Sequence, residues 1–211
     1  MVARRGSRGD HTVTAITLAS ALVFAALAGL AIGGRPLPID DDVKGWVERA
    51  QYPAIGAGMH AVSTLGESAG LIPLIGLVSA IAWRQGRRRA LSVPLVMIGA
   101  GLLQLAAKWA VDRPRPNLAP WGFPSGHVLS LVVLLGLLCY LLASANVGRR
   151  WQVLVGALST TAVLAVALSR LYLDMHWLSD VVGGFAVGLA YLLLVSRWLA
   201  RLAPVRVRHT G

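Results

Sequence analysis

The chain has 211 residues, of which 56% are hydrophobic and 14% are charged, and its mean hydropathy is +0.66. This composition lies outside that of soluble globular domains and favours a membrane protein. The formal net charge of +11 does not indicate nucleic-acid binding, because the basic residues form short clusters at the ends of apolar stretches. A lone cysteine, Cys139, lies in an apolar run and excludes an internal disulfide.

The first apolar stretch follows a basic start that contains Arg4, Arg5 and Arg8, as a signal peptide would. It runs over residues 15–33, however, which is long enough to cross a bilayer. We therefore expect an uncleaved first transmembrane helix.

Five further apolar stretches approach the roughly 20 residues that a membrane helix requires. They are residues 68–83, which is the shortest, 90–111, 127–147, 151–169 and 177–200. Another apolar piece, residues 54–65, is interrupted at Gly66 and Glu67, and we expect a half-helix packed beside the bundle. No internal repeat is apparent. The sequence thus predicts one all-α domain, residues 1–211, built as an integral-membrane bundle of six transmembrane helices.

The arginines predict the orientation of this bundle, because short cytoplasmic loops retain an excess of Lys and Arg. With the N-terminus inside, thirteen of the twenty basic residues fall on the cytoplasmic side. Both termini are therefore predicted to be cytoplasmic. Five tryptophans near the span ends are interpreted as headgroup anchors: Trp83, Trp109, Trp151, Trp177 and Trp198.

A short amphipathic helix is predicted between the first two spans, on the outer surface. Asp40, Asp41 and Asp42 precede an apolar stripe of helical period that includes Val43 and Trp46. Capping of this helix explains the three aspartates better than cation binding.

The third span ends in two cations. Lys108 and Arg115 are seven residues apart, and Pro114 and Pro116 stop the helix. Taken alone, such a pair is typical of side chains that reach up to the membrane interface.

The following loop ends in Pro124, Ser125, Gly126 and His127, immediately before the fourth span. Ser125 can cap the helix, and the small Gly126 lets an anion approach the free N–H groups of its first turn. By itself this turn is more typical of an ordinary helix cap than of an anion site.

The fifth span ends at Ser169 and Arg170, and the sixth opens with His176 and Asp180. The i,i+4 spacing places imidazole and carboxylate on one helix face, where Asp180 can hold one ring nitrogen and present the other as a nucleophile. The same pair taken alone could simply tie two helices together.

The predicted topology brings these three segments to the same outer side. Three cations, a helix N-terminus, two histidines and a carboxylate suit phosphoryl transfer without a metal or other cofactor. Two histidines and one aspartate could instead ligate zinc, but three nearby cations would oppose a dication.

These residues form three signatures: Lys-x6-Arg-Pro, Pro-Ser-Gly-His and Ser-Arg-x5-His-x3-Asp. With them the chain resembles the type-2 phosphatidic acid phosphatase, or lipid phosphate phosphatase, superfamily over about residues 60–200. The six spans argue against its soluble acid phosphatases and vanadium-dependent haloperoxidases. The resemblance implies His176 as nucleophile, Asp180 as its orienting partner and His127 as general acid. It also implies a set of phosphate-binding residues: Lys108, Arg115, Ser125, Gly126 and Arg170.

Residues outside the motifs receive weaker interpretations. His60 and Glu67 either line a headgroup pocket or cap and pack locally, and Tyr172 either contacts substrate or joins the aromatic belt. Surface ion pairs explain Asp112, Arg113 and Asp174. The Gly184 and Gly188 pair predicts close helix packing.

The sequence therefore predicts a multi-pass lipid phosphatase of a bacterial plasma membrane, with its active site on the extracytoplasmic face. Candidate substrates are a polyprenyl pyrophosphate, phosphatidylglycerol phosphate and phosphatidic acid, and the motifs do not rank them. The alternatives are an anion or lipid transporter with a basic cavity and a structural membrane protein. Matching halves with broken helices would favour a transporter, and the sequence contains none.

Overall fold

The computed structural model describes the backbone of residues 4–202 and the side chains of residues 10–201. The helices are α1 (Arg4–Ala31), α2 (Pro38–Arg49), α3 (Pro53–Ser63), a 3-10 helix (Thr64–Gly66), α4 (Ser68–Trp83), α5 (Arg87–Val111), α6 (Gly126–Ser144), α7 (Arg149–Tyr172) and α8 (Leu178–Leu202). Residues 4–202 contain no strand, so the predicted all-α class is confirmed.

Five helices are long and apolar enough to cross a membrane: the Asp10–Ala31 part of α1, and α5, α6, α7 and α8. Helix α4 has 16 residues, which at 1.5 Å each reach about 24 Å and fall short of the ~30 Å hydrocarbon core. Together with α3, from which it is bent by 47° at the break around Glu67, it is long and apolar enough to form a sixth span. The predicted six-span fold class is confirmed, but α4 is too short to cross alone as predicted, and the expected half-helix is the segment that completes its length.

Helix α6 lies at the centre of the bundle and packs against α4, α5, α7 and α8. Its Leu129, Leu134, Leu137 and Leu141 are fully buried. A helix that is apolar on every face belongs in the interior, and α6 has this pattern from Val128 to Leu142. The start of α6, which carries the Pro-Ser-Gly-His motif, consequently lies in the middle of one end of the bundle.

We call this end, where α5 and α7 end and α6 and α8 begin, the motif end. Helix α2 is the predicted surface helix and packs there against α7 and α8. Lys44 on α2 makes an ion pair with Asp174 at 3.0 Å, in the connection between α7 and α8. This ion pair holds α2 beside the residues that follow α7.

Close packing between α8 and α6 depends on two glycines, as predicted. A Cβ atom at Gly184 would lie 2.5 Å from the Ser125 carbonyl oxygen, and one at Gly188 would lie 3.1 Å from the Leu129 carbonyl oxygen. Because these contacts are to backbone atoms, a larger residue at either glycine would fit only if α6 and α8 moved apart.

We expect Gly184→Ala to destabilise the protein by about 1–3 kcal/mol, because overpacking forces backbone shifts. Gly156→Ala on α7 is the matched control, since a Cβ there meets nothing within 4 Å. Thermal unfolding of the two detergent-solubilised variants provides the comparison. Equal unfolding temperatures would show that the α6–α8 contact tolerates separation.

Candidate active site

All eight motif residues of the sequence analysis lie at the motif end. Lys108 is in the last turn of α5, Arg170 is in the last turn of α7, and Ser125 is the N-cap of α6. The others are Arg115, Gly126, His127, His176 and Asp180. The His127 ring lies close enough to Lys108, Arg115, Arg170 and His176 for electrostatic interaction. Helix packing thus joins segments that are far apart in sequence.

Three of these residues are cations with uncharged polar partners. Lys108 donates to the Trp121 carbonyl, Arg170 donates to the Ser63 hydroxyl, and Arg115 donates to the Met175 sulfur at 3.8 Å. Lys108 and Arg170 are buried. Burial lowers the pKa of the Arg115 guanidinium below its ordinary value, an effect that Asp180 opposes. The guanidinium still carries its charge at neutral pH.

The first turn of α6 faces this group of cations. Ser125 occupies the N-cap position, as predicted, but its side chain makes no capping hydrogen bond. Its hydroxyl is buried without a partner among the described residues. The Gln104 side chain, one turn before Lys108, fills the space that a Cβ at Gly126 would need. The helix N-terminus therefore offers uncapped N–H groups and a free hydroxyl to an anion.

His176 and Asp180 form a buried pair behind these donors. The His176 Nδ1 to Asp180 Oδ2 distance is 3.5 Å, which makes this a loose contact of the kind that tightens when a substrate binds. With Nδ1 facing the carboxylate, Nε2 is the nitrogen left for chemistry. The Asp180 carbonyl also accepts the Ser125 N–H at 2.9 Å, so the α6 N-terminus and the His–Asp pair are held together.

Asp180 is fixed by Arg113, for which a surface ion pair was predicted. That prediction is wrong, because Arg113 is fully buried. It donates to Asp180 Oδ1 at 2.9 Å, to Ser179 Oγ at 2.6 Å and to Asp40 Oδ2 at 2.8 Å. The guanidinium also lies 5.6 Å from the centre of the Trp177 ring. Trp177 in turn donates to the Pro114 carbonyl at 3.1 Å, so this tryptophan is part of the site's packing as well as a residue near a span end.

Asp40 has a second role beside its predicted capping role. It accepts the Leu37 N–H of its own helix start at 2.9 Å, but it is also buried and pairs with Arg113. Burial raises the pKa of Asp40, whereas hydrogen bonds from Arg113, Leu37 and Ser179 outweigh this and hold it below 3.8. Nothing in the local sequence could identify a partner more than 70 residues away.

The connection that carries His176 is held by residues from the start of α3. Tyr172 is buried; its hydroxyl accepts the Tyr52 N–H at 2.7 Å and donates to the Tyr52 carbonyl at 3.1 Å. This burial contradicts a place for Tyr172 in the membrane belt. Substrate contact, the other role considered for Tyr172, stays a prediction. Gln51 adds a hydrogen bond to the Tyr172 carbonyl at 3.1 Å.

His60 and Glu67, for which the sequence allows either a headgroup pocket or local capping and packing, lie in different places. His60 is exposed on α3, whereas Glu67 lies at the α3–α4 break with its Oε1 3.9 Å from His127 Nε2. Glu67 therefore borders the motif residues, although no motif contains it.

Unpaired buried polar atoms concentrate at the motif end. Among the described residues, those of the motif set are Arg115 Nε, Ser125 Oγ, His127 Nε2, Arg170 Nε and His176 Nδ1. Buried polar atoms without partners are rare, and the two guanidinium nitrogens and the hydroxyl in this set suit a bound oxyanion. Within the described residues, no group of three His, Cys, Asp or Glu side chains could hold a metal ion.

The comparisons with known proteins identify the family. The family model described as PAP2 superfamily matches residues 89–204, more than half of the chain. The chain therefore belongs to the PAP2 superfamily.

Two curated relatives and one solved structure are similar to the chain. Phosphatidylglycerophosphatase B of Bacillus subtilis is 28% identical over 154 residues, 69% of this chain and 76% of that protein. The undecaprenyl-diphosphatase of Sulfolobus acidocaldarius is 26% identical over 173 residues, 76% of this chain and 74% of that protein. The crystal structure of a transmembrane PAP2-type phosphatidylglycerolphosphate phosphatase from Bacillus subtilis superposes with a TM-score of 0.80 at 24% identity, covering 90% of this chain and 98% of that one. The last comparison establishes the transmembrane PAP2 fold.

We expect Asp40→Asn to lower the free energy of unfolding by about 3 kcal/mol, because it removes one of the two carboxylates that compensate a buried guanidinium. Asp41→Asn is the matched control, since Asp41 is the next residue and is exposed. Denaturant unfolding in detergent at pH 7 measures both. Because the pKa of Asp40 is lowered, its contribution is complete above about pH 4 and is lost as the pH falls through that lowered value. Equal stability of the two variants would contradict the role assigned to Asp40.

Proposed function

We propose that the protein removes phosphate from a lipid phosphomonoester or pyrophosphate through a covalent phosphohistidine on His176. The observation that carries this proposal is the contrast between the cations at the motif end. Arg113 is compensated by two carboxylates, whereas Lys108, Arg115 and Arg170 have uncharged polar partners and surround an activated histidine. Such a group of cations suits a phosphoryl group.

In the first step, His176 Nε2 attacks phosphorus and the phosphorus–oxygen bond to the lipid breaks. The cations, Ser125 and the α6 N-terminus hold the phosphoryl oxygens, and His127 donates a proton to the leaving oxygen. Asp180 stabilises the positive charge that develops on the His176 ring. The products of this step are phosphohistidine and the lipid alcohol, or the lipid monophosphate when the substrate is a pyrophosphate.

In the second step, water attacks phosphorus, His127 accepts its proton, and the phosphorus–nitrogen bond breaks to release inorganic phosphate. The nucleophile must start unprotonated. Burial lowers the pKa of His176 to about 4, with Asp180 opposing and Lys108 and Arg115 reinforcing the effect. The ring is then neutral, and nucleophilic, at physiological pH.

A lipid substrate is favoured by the membrane bundle and by the relatives. An apolar groove of about 300 Å³ lies between α4, α5 and α6. Its lining includes Ser68, the residue after Glu67, and Ser130, which is one turn after His127. A lipid chain in this groove would place its phosphate near the cations. The relatives act on phosphatidylglycerophosphate and undecaprenyl diphosphate by their names, and we propose this range, with phosphatidic acid, as the substrate class.

We further propose that the motif end faces outward from the cytoplasm across a bacterial plasma membrane. Every acidic residue except Asp10 lies at the motif end, whereas the arginine clusters at Arg84–Arg89 and Arg149–Arg150 lie at the opposite end. Short arginine-rich loops stay in the cytoplasm. The predicted cytoplasmic arginines near the termini, Arg4, Arg5, Arg8, Arg206 and Arg208, have side chains outside the described residues.

We expect His176→Ala to reduce phosphate release by at least about 1,000-fold, because no other group replaces the nucleophile. The measurement is inorganic phosphate released from a polyprenyl pyrophosphate, phosphatidylglycerol phosphate and phosphatidic acid in detergent micelles. His11→Ala, an exposed histidine at the opposite end, is the control. Near-normal turnover by a folded His176→Ala protein would overturn the mechanism. Failure of the unaltered protein on every substrate would favour the transporter alternative.

Sidedness is tested by cysteine labelling in intact cells after Cys139→Ala removes the background thiol. Asn117→Cys, in the exposed loop of the motif end, should react with a membrane-impermeant thiol reagent, because that end is proposed to face outward. Gly148→Cys, in the exposed turn before α7, should react only after lysis. The reverse pattern would place the site in the cytoplasm.

A further inference from the structure

Glu67 is a half-exposed carboxylate that the three motifs do not contain. It lies at the break between the two parts of the second span, and its side chain is 48% exposed. Its Oε1 atom is 3.9 Å from His127 Nε2 and 3.4 Å from Ser63 Oγ. Among the described residues, Glu67 is the acidic residue that the structure places within 4 Å of His127.

The break between α3 and α4 places the Glu67 carboxylate next to the His127 ring. A Cβ at Gly66 would lie 2.7–2.9 Å from atoms of the His127 side chain, so the 3-10 turn packs directly on the imidazole. Arg170 donates to the Ser63 hydroxyl, which donates to Glu67. The position of Glu67 is thus linked to a residue of the phosphate-binding group.

Basic groups surround the His127 ring. Lys108, Arg115, Arg170 and His176 all interact with the ring. A general acid must carry a proton before it can donate one, and like charges disfavour the imidazolium. Asp180 does not offset this, because it pairs with Arg113 and His176. His127 Nε2 is buried and has no hydrogen-bond partner at the separation in this structure.

We infer that Glu67 is a positioning residue that holds a proton on His127 Nε2 and stabilises the imidazolium form. This inference rests on the proposed role of His127 as general acid. With Nε2–H directed at Glu67, the Nδ1 proton goes to the leaving oxygen, and neutral His127 later takes a proton from the attacking water at Nδ1. The site then has two imidazole–carboxylate pairs, one that orients the nucleophile and one that orients the acid.

The test compares Glu67→Gln with the unaltered full-length protein on two substrates. Phosphatidic acid has an alkoxide leaving group that needs a proton, whereas p-nitrophenyl phosphate has a leaving group that does not. We expect kcat to fall about 10–100-fold with phosphatidic acid and several-fold less with p-nitrophenyl phosphate. The basic limb of the kcat/KM profile for phosphatidic acid should move to lower pH, because the imidazolium loses its neighbouring carboxylate.

Glu67→Asp keeps a carboxylate and should restore part of the activity and part of the original position of the basic limb. Asp42→Asn is the control; Asp42 is an exposed carboxylate on α2, and its replacement should change neither the activity nor the pH profile. Equal losses on both substrates with an unmoved pH profile would overturn the inference and leave Glu67 a structural residue. If Glu67→Gln does not fold, Ser63→Ala takes its place, since it removes the hydroxyl that holds Glu67. The same shift of the basic limb is expected, and its absence overturns the inference.

Failure of the proposed function itself would look different. In that case His127→Ala would keep its activity on phosphatidic acid, whatever Glu67→Gln does. Loss of activity in His127→Ala, together with an unchanged profile in Glu67→Gln, would reject the Glu67 inference alone.

Discussion

The buried guanidinium of Arg113 is the interaction on which the motif end depends. Removing such a charge from water is costly, and the cost is offset when carboxylates and hydroxyls surround it with good geometry. Arg113 has Asp40, Ser179 and Asp180 as partners. They come from α2 and α8, and Arg113 itself follows α5, so one charge ties three elements together. The same contact fixes the carboxylate that faces His176.

Charge compensation separates structural cations from those that face the proposed substrate. Arg113 sits between two carboxylates, while Lys108 and Arg170 are buried against a carbonyl and a hydroxyl. Burying a cation against neutral partners is unfavourable unless an anion completes the site. The fold stabilises such an arrangement through the close contact of α8 with the start of α6 and through the buried leucines of the central α6. The proposed phosphate site is therefore supported by packing between helices that lies away from it.

The second span shows how the fold places residues that the motifs omit. Because α4 is too short to cross the membrane, the chain needs α3 as well, and the two meet at a 47° bend. The bend brings Gly66 and Glu67 against His127. The start of α3 also holds Tyr172 and with it the connection that carries His176. The bent α3–α4 pair thus contacts His127 and also the connection that carries His176.

The sequence by itself determined the spans and the positions of the motif residues along them. Apolar length and helical period are local properties, and Lys108 and Ser125 occupy helix ends that proline, serine and glycine mark. Tertiary structure alone decided the partners of Arg113, the second role of Asp40, the burial of Tyr172 and the approach of Glu67 to His127. These contacts join residues 60 or more positions apart. They exist because the helices pack in one particular arrangement, and no local pattern encodes which charge will meet which across a bundle.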